Sequence, residues 1–177
     1  MEIQVLRYFL ATAREENMMV CQVTLMPSNF DRAYRSIGIS NYYTLEEYEH
    51  VTSGGEIKPG VIQNENHPFY QNTEFQKDIA KYGTVGESWY PFGGRGHTQD
   101  LFGNETIMDI AKARGKTSAL MILCWHLQTG CITIPGSQNP DHILENYNIF
   151  VFDLTDAQMQ RMAELHTGRG MKIGEVC

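Results

Sequence analysis

Residues 131–146 read CITIPGSQNPDHILEN, a β-forming run that turns through Pro and Gly into a helix start. Ile132, Thr133 and Ile134 end at Pro135 and Gly136, and a helix opens at Asn139-Pro140. Asn is a good N-cap, and Pro suits the first helical turn because its missing N–H is not needed there. A strand passing through a Gly-Ser turn into a capped helix presents free backbone N–H groups and a positive dipole end. That arrangement receives anions, phosphate above all. An ordinary βα connection looks the same in isolation, so the upstream sequence has to decide.

Upstream, strand and helix patterns alternate back to Arg35. Ser36–Ile39 reads as a short strand ending at Ser40-Asn41, and Thr44–Val51 as a helix whose Thr44 and Glu47 are spaced as a capping box. Val61–Glu65 is a second strand, Thr73–Tyr82 a helix stopped by Gly83, and Thr84–Trp89 a third strand closed by Pro91-Phe92-Gly93-Gly94. Helices are expected at 105–114 and 118–129, then a strand at 131–134. Two further helices fall at 140–147 and 156–166, the second opened by Thr155 and Gln158. Strands alternating with helices predict parallel βαβ units. Four strands fall short of the eight of a (β/α)8 barrel, which typically takes about 250 residues.

Composition bounds the function. The chain has 177 residues, 42% of them hydrophobic, enough for a real core. Its net charge of −7 argues against a nucleic-acid or anionic-membrane surface, though not against a small anion pocket. No apolar run reaches the length of a membrane span, and no signal-peptide pattern opens the chain. Cys21, Cys124, Cys131 and Cys177 form no CxxC pair and no zinc spacing, so they read as free thiols of a reducing, cytoplasmic setting. No metal site is expected.

The first residues differ in character. Met1–Met18 spaces Ile3, Leu6, Leu10 and Ala13 as a helix, and resembles the first helix of LysR-type transcriptional regulators. In that family a helix-turn-helix rich in Ala and Ser/Thr follows, whereas here the chain continues MVCQVTLMPSNFDRAY. No recognition helix is present to enter a major groove, so a DNA-binding regulator is the weakest reading. Residues 1–31 are set apart as a helix and irregular segment, a fusion or reading-frame accident, and 32–177 as the main unit.

Five ordered blocks carry a more specific resemblance: IGISN (37–41), VIQNENHP (61–68), ESWYPFGGRGH (87–97), GKTSALMILCWHLQ (115–128) and ITIPGSQNPDHILENYNIFVFDLT (132–155). From Tyr34 to Leu165 the chain resembles the C-terminal half of an aldo-keto reductase, most closely the bacterial members. The resemblance implies an α/β fold, a partial (β/α)8 TIM barrel made of the last four βα units, after a short N-terminal helix. It also implies an NADP or NAD cofactor and a small carbonyl substrate.

Residue by residue, the resemblance places Ser40, Asn41 and Gln63 on the nicotinamide carboxamide, a planar group with one donor and one acceptor side. Trp89 takes the position of the aromatic ring that stacks on nicotinamide. Tyr90 and the loop Gly93-Gly94-Arg95-Gly96 lie along the pyrophosphate, where glycines admit close backbone approach and Arg95 neutralises charge. Gly136 and Ser137 stand where the family commonly has Lys-Ser around the 2′-phosphate, and His142 where an Arg normally clamps it. Glu145 and Asn146 match the pair that contacts adenine. With a glycine and a histidine in place of two cations, preference for NADP over NAD is expected to weaken, since each charge-assisted bond is worth about 1.5–3 kcal/mol.

None of the six histidines is assigned as a base. By resemblance His67-Pro68 is structural, His126 packs within an apolar helix, and His97 lines a pocket only weakly. The family's acid–base group of Tyr, Lys, Asp and His lies in the first half of the barrel, and no residue here corresponds to it. Hydride delivery needs a group that stabilises the developing alkoxide. A truncated oxidoreductase, inactive or slow alone, is therefore expected, with a non-catalytic nucleotide-binding module as the alternative. A cut barrel also leaves two sheet edges and an apolar face open, which predicts self-association.

Overall fold

The structure is a computed structural model, and it describes residues 37–54, 57–94, 96–168 and 170. Four parallel strands form one sheet in the order β1 (Gly38–Ser40), β2 (Val61–Glu65), β3 (Val85–Trp89) and β4 (Ile132–Thr133). Between them run α1 (Leu45–Thr52), α2 (Thr73–Ala80), α3 (Thr98–Phe102), α4 (Glu105–Arg114) and α5 (Ser118–Gln128). After β4 come α6 (Pro140–Tyr147), a 3-10 turn at Asn148–Val151, and α7 (Asp156–Ala163). Strand order following chain order, every pair parallel, is the topology of four consecutive units of a (β/α)8 barrel.

Local chemistry explains the boundaries. Thr44 accepts from the Glu47 N–H while the Glu47 carboxylate accepts from the Thr44 N–H, so the capping box starts α1 as expected. Thr155 and Gln158 do the same for α7. Asn104 accepts from the N–H groups of Thr106 and Ile107 to start α4, and Gly115, at φ +61°, ends it in the left-handed conformation. The expected strands and helices are all present where the structure describes them; β1 and α1 each run one residue past the expected end, three elements keep their bounds, and the others are shorter. The edge strand β4 keeps only two residues, the two that pair with Glu87 and Ser88 of β3. The helix expected to reach 82 ends at Ala80, and that expected to reach 166 ends at Ala163. α3 and the 3-10 turn were not foreseen; five residues after a glycine loop are too few to show a period. The helix expected within 1–31 lies outside the described residues.

The register sorts the two faces of the sheet. Ile39, Ile62 and Gly86 share one row, and Ile62 packs with Tyr48, Phe75 and Ile79 beneath α1 and α2. Gly86 has no side chain because a Cβ there would sit 3.3 Å from Gln76 Cγ of α2. A second core joins α3, α4, α5 and α7 around Leu101, Ile107, Met121, Leu123, Trp125 and Met162. The opposite sheet face carries the row Ser40, Gln63, Glu87, Ile132 and the pair Glu65, Trp89. On that face Val85 is 40% and Ile132 38% exposed. Helices thus cover one side, while Ser40, Gln63, Glu87 and Glu65 lie on the other, toward the C-terminal strand ends.

Candidate functional site at the C-terminal strand ends

Parallel pairing brings the end of β1 beside the end of β2. The Ser40 hydroxyl donates to the Gln63 carbonyl at 2.8 Å, and the Asn41 N–H reaches that carbonyl at 3.1 Å and Asn64 Oδ1 at 3.0 Å. Asn41 adopts φ +63°, a left-handed turn that Asn tolerates better than most residues, and this ends the strand. One register step across, Gln63 Nε2 donates to Glu87 Oε1 at 2.6 Å. Glu87 is 3% exposed. Burial pushes its carboxyl above the ordinary carboxylate range, and the bond from Gln63 works in the opposite direction.

Tyr43, just after the Asn41 turn, closes the other flank. Its hydroxyl donates to Asn41 Oδ1 at 3.3 Å and accepts the Glu65 N–H at 3.1 Å. Burial raises the phenol to about 12, so its proton stays in place as a donor. Neither Tyr43 nor Glu87 was singled out from sequence. Only the cross-strand register reveals them, and a single sequence does not carry it.

Trp89 ends β3, half-buried, its ring 4.8 Å from that of Tyr90 at 63°. Its indole N–H is buried without a hydrogen-bond partner among the described residues. Tyr90 takes φ +53°, an uncommon conformation for a bulky residue and one that turns the chain sharply out of the strand. Gly93 follows at φ +80°, where a Cβ would meet Leu101 Cδ1 at 2.9 Å. Arg95 lies outside the described residues.

The second cluster sits after β4. Gly136 is exposed with open space around it, and the Ser137 hydroxyl accepts the Asn139 N–H at 3.1 Å. Asn139 Oδ1 accepts the Asp141 N–H, confirming the cap and Pro140 at the start of α6. His142 is exposed on the first turn; Glu145 and Asn146, three and four residues on, are half-buried along the same side of the helix. Glu145 Oε1 accepts from the Thr117 hydroxyl at 2.6 Å, tying α6 to the start of α5. Beside this tie opens a cleft of about 550 Å³, lined by Lys116, Leu120, Asp141, Leu144 and Asn148 among others.

His126 is fully buried, its ring nitrogens 2.8 Å from the Ile122 carbonyl and 3.0 Å from that of Asn66. His67 is 4% exposed and holds Glu65 Oε1 at 3.0 Å. His97 precedes α3 and meets Asp100 on the surface at 3.2 Å. Cys124 and Cys131 are buried free thiols, and no cluster of ligands that could hold a metal occurs among the described residues. No described helix is long and apolar enough to cross a membrane.

Four consecutive parallel βα units, with polar side chains gathered at the C-terminal strand ends, define a barrel-type α/β protein whose site lies where such folds place it. Comparison narrows the class. The family described as "Aldo/keto reductase family" matches residues 33–167, and the chain belongs to that family. It is 38% identical over 138 residues to an aldo-keto reductase of Mycolicibacterium smegmatis, covering 76% of this chain and 47% of that one. It is 32% identical to the morphine 6-dehydrogenase of Pseudomonas putida, covering 81% and 51%. Among solved structures, Gox0644 in its apo form aligns with a TM-score of 0.70 at 33% identity, over 78% of this chain and 50% of that one. A variant of the same protein solved in complex with NADPH aligns equally well, with a TM-score of 0.70. The chain spans about half the length of the curated relatives it matches. The family match leaves out residues 1–32, so the likeness of Met1–Met18 to LysR-type regulators expected from sequence finds no support.

Proposed function

We propose that this chain is the cofactor-holding half of an NAD(P)H-linked carbonyl oxidoreductase. One observation carries the reading. Ser40, Asn41 and Gln63, at the ends of two strands, stand side by side at the C-terminal sheet end with hydrogen-bonded side chains. A carboxamide needs one donor and one acceptor in a plane, and two neighbouring side-chain amides supply that set, so the residues present fit the group. Trp89, ending the next strand, is the ring for nicotinamide to stack on, with Tyr90, Gly93 and Arg95 along the pyrophosphate. Gly136, Ser137, His142, Glu145 and Asn146 take the adenosine end. The cofactor supplies the hydride; the residues named here bind and orient it.

Reduction of a small carbonyl substrate also needs a proton donor on the developing alkoxide. No described residue is assigned that role, so catalytic residues are expected from a further set of βα units, and the chain alone should turn over slowly or not at all. The proposed setting is the cytoplasm, with no nucleic-acid or membrane partner. The cofactor choice follows from the adenosine end, where Gly136 and His142 offer no fixed cation to a 2′-phosphate. NADP and NAD should therefore bind with comparable affinity, a comparison read directly from dissociation constants. The deciding experiment pairs quenching of NADPH fluorescence with NADPH oxidation over a panel of aldehydes. Binding with little turnover is the expected result; absence of binding overturns the proposal.

A further inference from the structure

We infer that Glu87 and Tyr43 are positioning residues that set which way the Gln63 and Asn41 amides face, and so impose selectivity for a carboxamide on the nicotinamide end of the site. The inference rests on the cofactor reading above and extends it to two residues outside the assigned set. A side-chain amide is nearly symmetric in shape, so a site built from two of them is ambiguous unless neighbours fix their orientation.

Here each amide has such a neighbour. Gln63 donates through Nε2 to Glu87 Oε1 at 2.6 Å, so the Gln63 NH2 stays on the Glu87 side. Its Oε1, which makes no hydrogen bond among the described residues, is left as an acceptor. Asn41 Oδ1 accepts from the Tyr43 hydroxyl, and that hydroxyl already accepts the Glu65 N–H, so its proton has one direction to go. The Asn41 NH2, also without a bond among the described residues, is left as a donor. The Ser40 hydroxyl gives its proton to the Gln63 carbonyl at 2.8 Å, which ties the two strand ends at the same register. One amide thus offers an acceptor and its neighbour a donor. This is the complement of a carboxamide, whose NH2 donates and whose oxygen accepts. An acetyl group lacks the donor and should be refused on the Gln63 side. A thioamide keeps the donor but weakens the acceptor, and should be disfavoured on the Asn41 side.

The test measures dissociation constants of the full-length chain for NADPH, its 3-acetylpyridine analogue, its thionicotinamide analogue and 2′,5′-ADP. Wild type is expected to prefer NADPH over the acetylpyridine analogue by about tenfold, the size of one net hydrogen bond. Glu87→Leu should reduce that ratio to near one, while Glu87→Gln, whose amide oxygen can still accept from Gln63, should restore most of it. Tyr43→Phe should erase discrimination against the thionicotinamide analogue and leave the acetylpyridine ratio unchanged. Because each ratio is taken within one variant, a loss of folded protein cancels from it. An unchanged acetylpyridine ratio in Glu87→Leu overturns the role of Glu87, and an unchanged thionicotinamide ratio in Tyr43→Phe overturns that of Tyr43. If 2′,5′-ADP binds wild type but NADPH binds no more tightly, the carboxamide inference fails and the adenosine end stands. If no nucleotide binds, the cofactor reading fails with it.

Discussion

His126 shows how one residue can set the acid limit of this fold. The ring is fully buried, and burial lowers its pKa to about 4, against the upward pull of the carbonyls of Asn66 and Ile122. Two facing carbonyls would suit an imidazolium, but desolvation of a charge outweighs them here. Both carbonyls have another donor: Ser88 Oγ for Asn66, and the helical N–H of His126 itself for Ile122. A neutral ring therefore leaves neither unsatisfied. The folded value lies below the ordinary 6.5, so the unfolded chain takes the proton first as pH falls. Stability should be complete above about pH 6.5 and decline between 6.5 and 4, by roughly 3 kcal/mol in all. Urea midpoints taken across that range should show the decline. His126→Gln should flatten it, and an equally steep profile in the variant would sink the assignment.

At the scale of elements, α4 depends on its cap. Asn104 Oδ1 accepts two first-turn N–H groups, and α4 carries Ile107, Ile110 and Ala111 into the larger core. Asn104→Ala should cost about 1 kcal/mol, seen as a shift in denaturant midpoint at constant slope. Both capping boxes and the Asn139-Pro140 start were legible in the sequence because caps are local chemistry, written within four residues. The strand–helix alternation was legible for the same reason. Ser40, Asn41 and Gln63 could be named because their blocks resemble a family, yet nothing local says that Glu87 lies opposite Gln63 or that Tyr43 reaches back to Asn41. Those contacts depend on strand register, a relation between residues 24 apart for the first pair. α3 went unseen for a different reason. Its five residues rest on Leu101, and tertiary packing rather than periodicity holds them.

Taken whole, the described chain leaves surfaces that a closed barrel would cover. Val85, Ile132 and Ile134 are 40%, 38% and 41% exposed on or beside the open sheet face. Beyond β4, Tyr147, Phe150 and Val151 are 75%, 74% and 70% exposed. Apolar area of this kind, next to strands with free edges, favours association. Light scattering on the eluting protein should give a mass well above one chain, and a stable single chain with cooperative unfolding would contradict it. The shortness of β1 and β4, three and two residues, limits how much of each edge can recruit a partner.

Cys131 stands directly before that short edge strand, 2% exposed, its thiol raised to about 11 by burial. Such a thiol has almost no thiolate at neutral pH and reacts only when the strand end opens. It is therefore a built-in clock for the edge. Alkylation of the Cys131 peptide, followed by mass spectrometry against time, should run far slower than for an unfolded control, and slower still as protein concentration rises if copies cover the edge. A rate that does not change with concentration would mean that this edge stays uncovered in the assembly.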